Sequence, residues 1–247
     1  MASNRNVIVT GRGWAGSKKV ARQVSPSGMV TSIEPWGVSN PDAISKNGNK
    51  YWFSRKDSGE SFATVSGEVF MQDSKGEIRT LAGRPQIYGT PKDGVGWAAE
   101  FFNITALTLD NADNIYVIDS FNRKIKRIAN DPVHTVTTIA TLPQGAYDGL
   151  FDAMIALNGK LYAVGSQTGE GYLTEIDPVT GTVHDIIRAG SATFGDPHGI
   201  HLSGLATDGK GFFTYNRGYL FYVSLNGKVT RLAGDGTYFE FTPSYNP

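Results

Sequence analysis

An all-β chain is what this sequence predicts, on three observations: one two-strand phrase recurs five times, a second phrase precedes most of its copies, and helical 3.6-residue periodicity is absent throughout. The recurring phrase is a run rich in Val, Ile and Thr, a turn, and a second such run. It occupies 18–33, 68–83, 124–142, 172–190 and 219–234. Its turns centre on Ser27-Gly28, Lys75-Gly76, Asp131-Pro132, Thr180-Gly181 and Asn226-Gly227, residue types that supply a positive or preset φ for a tight reversal. From Gly28 to Gly227 the copies fall at a period of roughly 50 residues.

The second phrase is an apolar strand, an Asp/Asn/Gly turn and another apolar strand. It is clearest at 105–128, with weaker versions at 42–54, 153–166 and 204–216. Four strands per period is the signature of a β-propeller blade rather than of a sandwich. The expected architecture is therefore a single domain over 1–247, five blades of four antiparallel strands, with six blades as the alternative if 84–102 forms extra strands. Asn6–Thr10 matches Asn114–Ile118, so the innermost strand of the first blade has no N-terminal source. Tyr238–Phe241 is expected to supply it from the C-terminus and close the ring, since an unpaired edge beside a core is costly.

Composition narrows the function. The 247 residues carry 23 Lys plus Arg against 23 Asp plus Glu, with 40% hydrophobic and 19% charged, a folded chain with no charge excess to draw it to nucleic acid or an anionic membrane. The absence of cysteine excludes disulfide scaffolds, thiolate zinc sites and cysteine nucleophiles. No basic-then-apolar leader opens the chain, and no apolar run nears the ~18 residues of a membrane span. A chain with no export signal and no membrane span is expected, its compartment left open. Glycine, 30 of 247, is about 12% against roughly 7% on average, in keeping with many turns.

The central copy carries a family likeness. NIYVIDSFNRKIKRI, preceded by LTLDNAD and EFFNITAL, resembles the NHL-repeat pattern of an A/G-I-A-x-D strand, a G/D-N turn, I/L-Y-V-x-D and N-x-x-I-x-x-I. GTPKDGVGWAAEFF, 89–102, is similar to the linker before such repeats. The other copies are degenerate, with Gly11, Ser54, Gly165 and Tyr215 standing where Asp119 stands. The resemblance implies a propeller more than an activity. In NHL-like amidating lyases, histidines at the starts of inner strands hold zinc. The equivalent positions here are Asp42, Thr105, Ala153 and Ser203, so that zinc site does not carry over.

Chemistry has few other places to sit. Of the four histidines, His134 and His184 fall in outer strands, whereas His198 and His201 in GDPHGIHLSG precede an inner strand. With Asp196, Asp148 or Asp152 as a third donor they would make a divalent-metal site. The calcium-dependent propeller hydrolases suggest Asp42, Glu100, Asn103, Asp148 and Asp152, residue types that also serve turn geometry. There is no Gly-x-Ser-x-Gly elbow and no phosphate loop opening a helix. Arg123, Lys124, Lys126 and Arg127 form the one dense basic group, with Phe121 close by. Strand alternation points Lys124 and Lys126 one way and Arg123 and Arg127 the other, and a solvated strand is expected. Trp52 lies within a strand and is expected in the core. Trp14, Trp36 and Trp97 lie in Gly- or Pro-rich loops, free to meet a partner or stack on a glycan.

The expected function is a non-enzymatic protein-interaction or scaffold module without a cofactor, a subunit of a larger assembly such as a virion. Partner contacts are expected at Trp14, Trp36, Trp97, Phe121, Arg123 and Lys124. The alternatives are a hydrolase or lyase using a divalent metal at His198, His201 and Asp196, and a lectin-like propeller.

Overall fold

The structure, a computed structural model, describes residues 7–11, 20–24, 30–33, 41–53, 67–84, 91–120, 122–142, 151–167, 169–195, 200–216 and 218–234. Twenty strands are described, and they form five antiparallel sheets. The first holds β1 (Val7–Gly11), β2 (Val20–Val24) and β3 (Val30–Ile33). The second holds β4 (Ala43–Ile44), β5 (Lys50–Phe53), β6 (Val69–Gln72) and β7 (Ile78–Ala82). The third runs β8-β12-β11-β10-β9, from β8 (Gly94–Val95), β9 (Ile104–Leu109), β10 (Ile115–Asp119), β11 (Lys124–Ile128) and β12 (Thr135–Thr141). The fourth meanders through β13 (Phe151–Leu157), β14 (Lys160–Gln167), β15 (Glu170–Ile176) and β16 (Val183–Ala189). The fifth is formed by β17 (Ser203–Thr207), β18 (Gly211–Asn216), β19 (Tyr219–Ser224) and β20 (Val229–Ala233).

Each recurring phrase is an outer hairpin: β2–β3, β6–β7, β11–β12, β15–β16 and β19–β20. The fold is all-β and of the β-propeller class. The expected blade count is corrected: among the described residues four sheets, not five or six, carry the strands of a whole blade, one of them with β8 as a fifth strand. The N-terminal sheet has three strands, and the closing strand expected at 238–241 lies outside the described residues. Nor do the described residues of 84–102, which are 84 and 91–102, make a blade. Their two-residue β8 pairs with β12, a bridge joins Lys92 to Glu100, and a single 3-10 turn covers Gly96–Ala98.

The chain divides into two compact units, Met1–Ile139 and Ala140–Pro247. In the first, Tyr51, Phe53, Val69 and Met71 from one blade pack with Leu107, Ile115, Val117 and Ile128 from the next. Alternate residues along β5, β6 and β10 share that face, as a period of two requires. Trp52 departs from its expected core place: it is half-buried and stacks on its cross-strand partner Phe70 at 5.8 Å. In the second unit Tyr162, Val164 and Leu173 meet Phe212, Phe221 and Val223, with the Tyr162 and Phe212 rings 4.6 Å apart.

Candidate functional site

The start of an inner strand is held by a polar residue at the end of its neighbour. In the NHL-like blade, Asp119 closes β10 fully buried and accepts hydrogen bonds from the backbone N–H groups of Phe102 at 3.0 Å and Asn103 at 2.9 Å. Asn122 reaches the same carboxylate at 3.3 Å. A buried carboxylate is stable only when so surrounded by donors. The second unit repeats the device with an amide: Asn216, also fully buried, accepts from the His201 N–H at 2.7 Å. The Asp119 role therefore falls to Asn216 rather than to Tyr215.

That anchor sets His201 among three side chains. Ser166 Oγ lies 2.9 Å from His201 Nδ1, His201 Nε2 lies 3.2 Å from Asp152 Oδ2, and Ser203 Oγ donates to the same Oδ2 at 3.1 Å. Asp152 is near the start of β13 and Ser203 at the start of β17, while Ser166 is near the end of β14. The cluster thus joins the inner-strand starts of two successive blades. Its exposure is graded: the His201 side chain is 59% open and that of Asp152 15%, and Ser166 is 6% exposed. Beside Ser203, Gly204 has φ +66, and a Cβ there would lie 2.6 Å from the half-exposed Tyr215 ring. Tyr172 is fully buried with its hydroxyl lacking a hydrogen-bond partner. Burial pushes its pKa up to about 12, Arg188 pulling the other way and Asp152 adding to the rise, so it stays a neutral phenol.

Of the expected metal donors, His201 and Asp152 come together, whereas Asp196, His198 and Asp148 lie outside the described residues. Among the described residues no group of three His, Asp or Glu could hold an ion. The described part of this site offers two donors, one fewer than a protein metal site ordinarily needs. The calcium-type candidates serve structure: Asp42 Oδ2 accepts from Phe53 N–H at 3.4 Å, Glu100 pairs with Arg84, and the Asn103 amide donates to Ser120 Oγ at 3.1 Å.

The basic group is not the solvated strand expected. Lys126 is 1% exposed, its Nζ 2.6 Å from Asp93 Oδ1 and over the Phe101 ring. Arg127 donates to Asn114 at 2.9 Å. Arg123 turns the chain at φ 56, and Lys124 lies opposite Asp119. Both are partly exposed, and Phe121 lies outside the described residues. The solvated expectation fails because Lys126 finds its counter-ion 33 residues away, a pairing that no local pattern encodes. Burial works to raise the Asp93 pKa, but hydrogen bonds from Lys126 and Thr138 overbalance it and the net shift is downward.

Trp14 and Trp36 lie outside the described residues. Trp97 is 70% exposed on the 3-10 turn, with Val95 at 50% and Val133 at 56%. The turn is tied on both sides: Gly83 N–H donates to Gly96 O, and Gly96 N–H donates to His134 O, both at 3.1 Å. Ser166 carries no signal in the sequence. It follows Gly165 inside a strand and meets His201 across 35 residues.

No family model matches the chain, and no curated protein matches it in sequence. Solved structures do match in shape. A protein from Lactobacillus plantarum superposes with a TM-score of 0.55 at 13% identity, covering 95% of this chain and 83% of that one. TolB from Acinetobacter baumannii gives 0.52 at 12%, covering 94% and 53%. A nidogen/laminin complex gives 0.50 at 14%, covering 83% and 72%. This chain spans 61% of a streptogramin B lyase and 62% of the virginiamycin B lyase from Staphylococcus aureus. Likeness at such identity shows a fold and not an activity: the chain has a β-propeller fold.

Proposed function

We propose that this protein is an interaction module, a subunit of a larger assembly that docks a protein partner through the Trp97 turn, and that 105–128 is an NHL-type repeat. The single observation that carries the docking reading is the 70% exposure of Trp97 on a turn fixed by hydrogen bonds to Gly83 and His134. A large aromatic held rigidly in water surrenders little conformational entropy on binding and buries much area, the profile of an interface anchor. Val95 and Val133 extend the apolar surface beside it. The repeat reading is supported by Asp119, which joins the two halves of the motif through Asn122 and the 102–103 backbone. One structural neighbour was solved as a nidogen/laminin complex, a propeller match within a protein assembly.

Sedimentation of native material from the source tests this. The expected result is a species larger than the purified 247-residue chain, reduced to monomer by Trp97→Ala. A monomer in the native extract would sink the reading.

A further inference from the structure

Beyond partner binding, we infer that Ser166, His201 and Asp152 form an acyl-transfer centre in which Ser166 Oγ is the nucleophile, taking small esters or lactones. Proton directions follow from the contacts. The Asp152 carboxylate can only accept, and its Oδ2 already takes the Ser203 hydroxyl proton at 3.1 Å. The carboxylate favours a proton on the ring nitrogen nearest to it, His201 Nε2 at 3.2 Å. That leaves the lone pair on Nδ1, 2.9 Å from Ser166 Oγ, so the serine hydroxyl points its proton at a base. A nucleophile, a base in hydrogen-bond reach and a carboxylate orienting that base are the parts of a Ser-His-Asp relay. Here the imidazole is turned end for end: serine meets Nδ1 and aspartate Nε2. The relay is identified by its roles, which this arrangement fulfils.

The step balances without a further reagent except water. Ser166 Oγ bonds to the carbonyl carbon while its proton passes to His201 Nδ1, and the carbonyl π pair moves to oxygen. Collapse breaks the bond to the leaving alcohol, which takes the Nδ1 proton. Water then adds to the acyl carbon, gives a proton to Nδ1, and the acid departs as Ser166 regains its hydrogen. Asp152 stabilises the imidazolium in both halves. Substrate class follows from access and from leaving-group basicity. Ser166 is 6% exposed beside an open imidazole, which limits attack to small acyl donors. An alkoxide is a weaker base than an amide-derived nitrogen anion and leaves more readily, which favours esters and lactones over amides.

The test uses the whole chain with diisopropyl fluorophosphate, and separately with p-nitrophenyl acetate. The expected result is a one-to-one covalent adduct mapping to Ser166, absent in Ser166→Ala. With folding confirmed by its melting curve, His201→Gln should label about 100-fold more slowly, and Asp152→Asn about tenfold or more. If Ser166→Ala does not fold, site mapping on the wild-type chain and the His201→Gln rate decide. No adduct on the wild-type chain, an adduct at another residue, or a folded His201→Gln that labels at the wild-type rate would each overturn the inference. None of these outcomes depends on the Trp97 surface.

Discussion

Single residues hold this molecule at points where backbone groups would otherwise be orphaned. Asp119→Ala leaves the Phe102 and Asn103 N–H groups without their acceptor and should destabilise by about 2–4 kcal/mol in urea unfolding. Asp119→Asn keeps an acceptor, as Asn216 does in the second unit, and should lose less; equal losses would argue against the capping role. Lys126 supplies a second contrast. Asp93→Ala strands a buried ammonium and should cost about 2–3 kcal/mol, at the low end for such pairs because the Asp93 side chain is 45% exposed. Lys126→Met fills similar volume without a charge and should be near neutral. Asp119 was legible in the sequence because its motif is local. Lys126 was not, because its partner lies on a distant segment.

At the scale of the element, two of the outer hairpins, β6–β7 and β19–β20, bring a pair of glycines together at their open ends. A Cβ on Gly83 would lie 1.9 Å from Gly67 O, and one on Gly234 would lie 1.8 Å from Gly218 O, both at positive φ. No rotamer relieves a clash between a Cβ and backbone, so Gly83→Ala and Gly234→Ala should each destabilise by about 3 kcal/mol or more, read as a fall in the urea midpoint. The Leu-Ala-Gly ending of both hairpins, 81–83 and 232–234, is the sequence trace of this close approach. The β15–β16 turn adds a pH dependence. Asp177 is held at about 2, first by the Lys160 hydrogen bond and then by the N–H groups of Val179 and Thr180. Its folded pKa lies below the unfolded value of about 3.9. The stability it confers is therefore present above that value and lost as pH falls toward about 2. Asp177→Asn should flatten the decline of melting temperature across that window, and an unchanged slope would contradict the assignment.

For the whole molecule, the repeat made the fold readable: five hairpins, and the strand pairs before four of them, stand where the period of roughly 50 residues places them. The blade count was not readable, because whether a run such as 84–102 becomes a blade depends on the edge it finds. Here Gly94 and Val95 find β12. The site was half readable. His201 and Asp152 stand out as rare, ionisable types near inner-strand starts, whereas Ser166 is an ordinary strand serine until the fold brings it to Nδ1.

The docking role proposed for Trp97 is tested most directly by affinity capture from the source extract on immobilised wild-type chain and on Trp97→Ala, with retained protein quantified by mass spectrometry. The predicted result is one stoichiometric protein partner whose retention falls about tenfold or more in the variant, as loss of an aromatic anchor requires. Equal retention by the two chains, or retention of glycans alone, would contradict it.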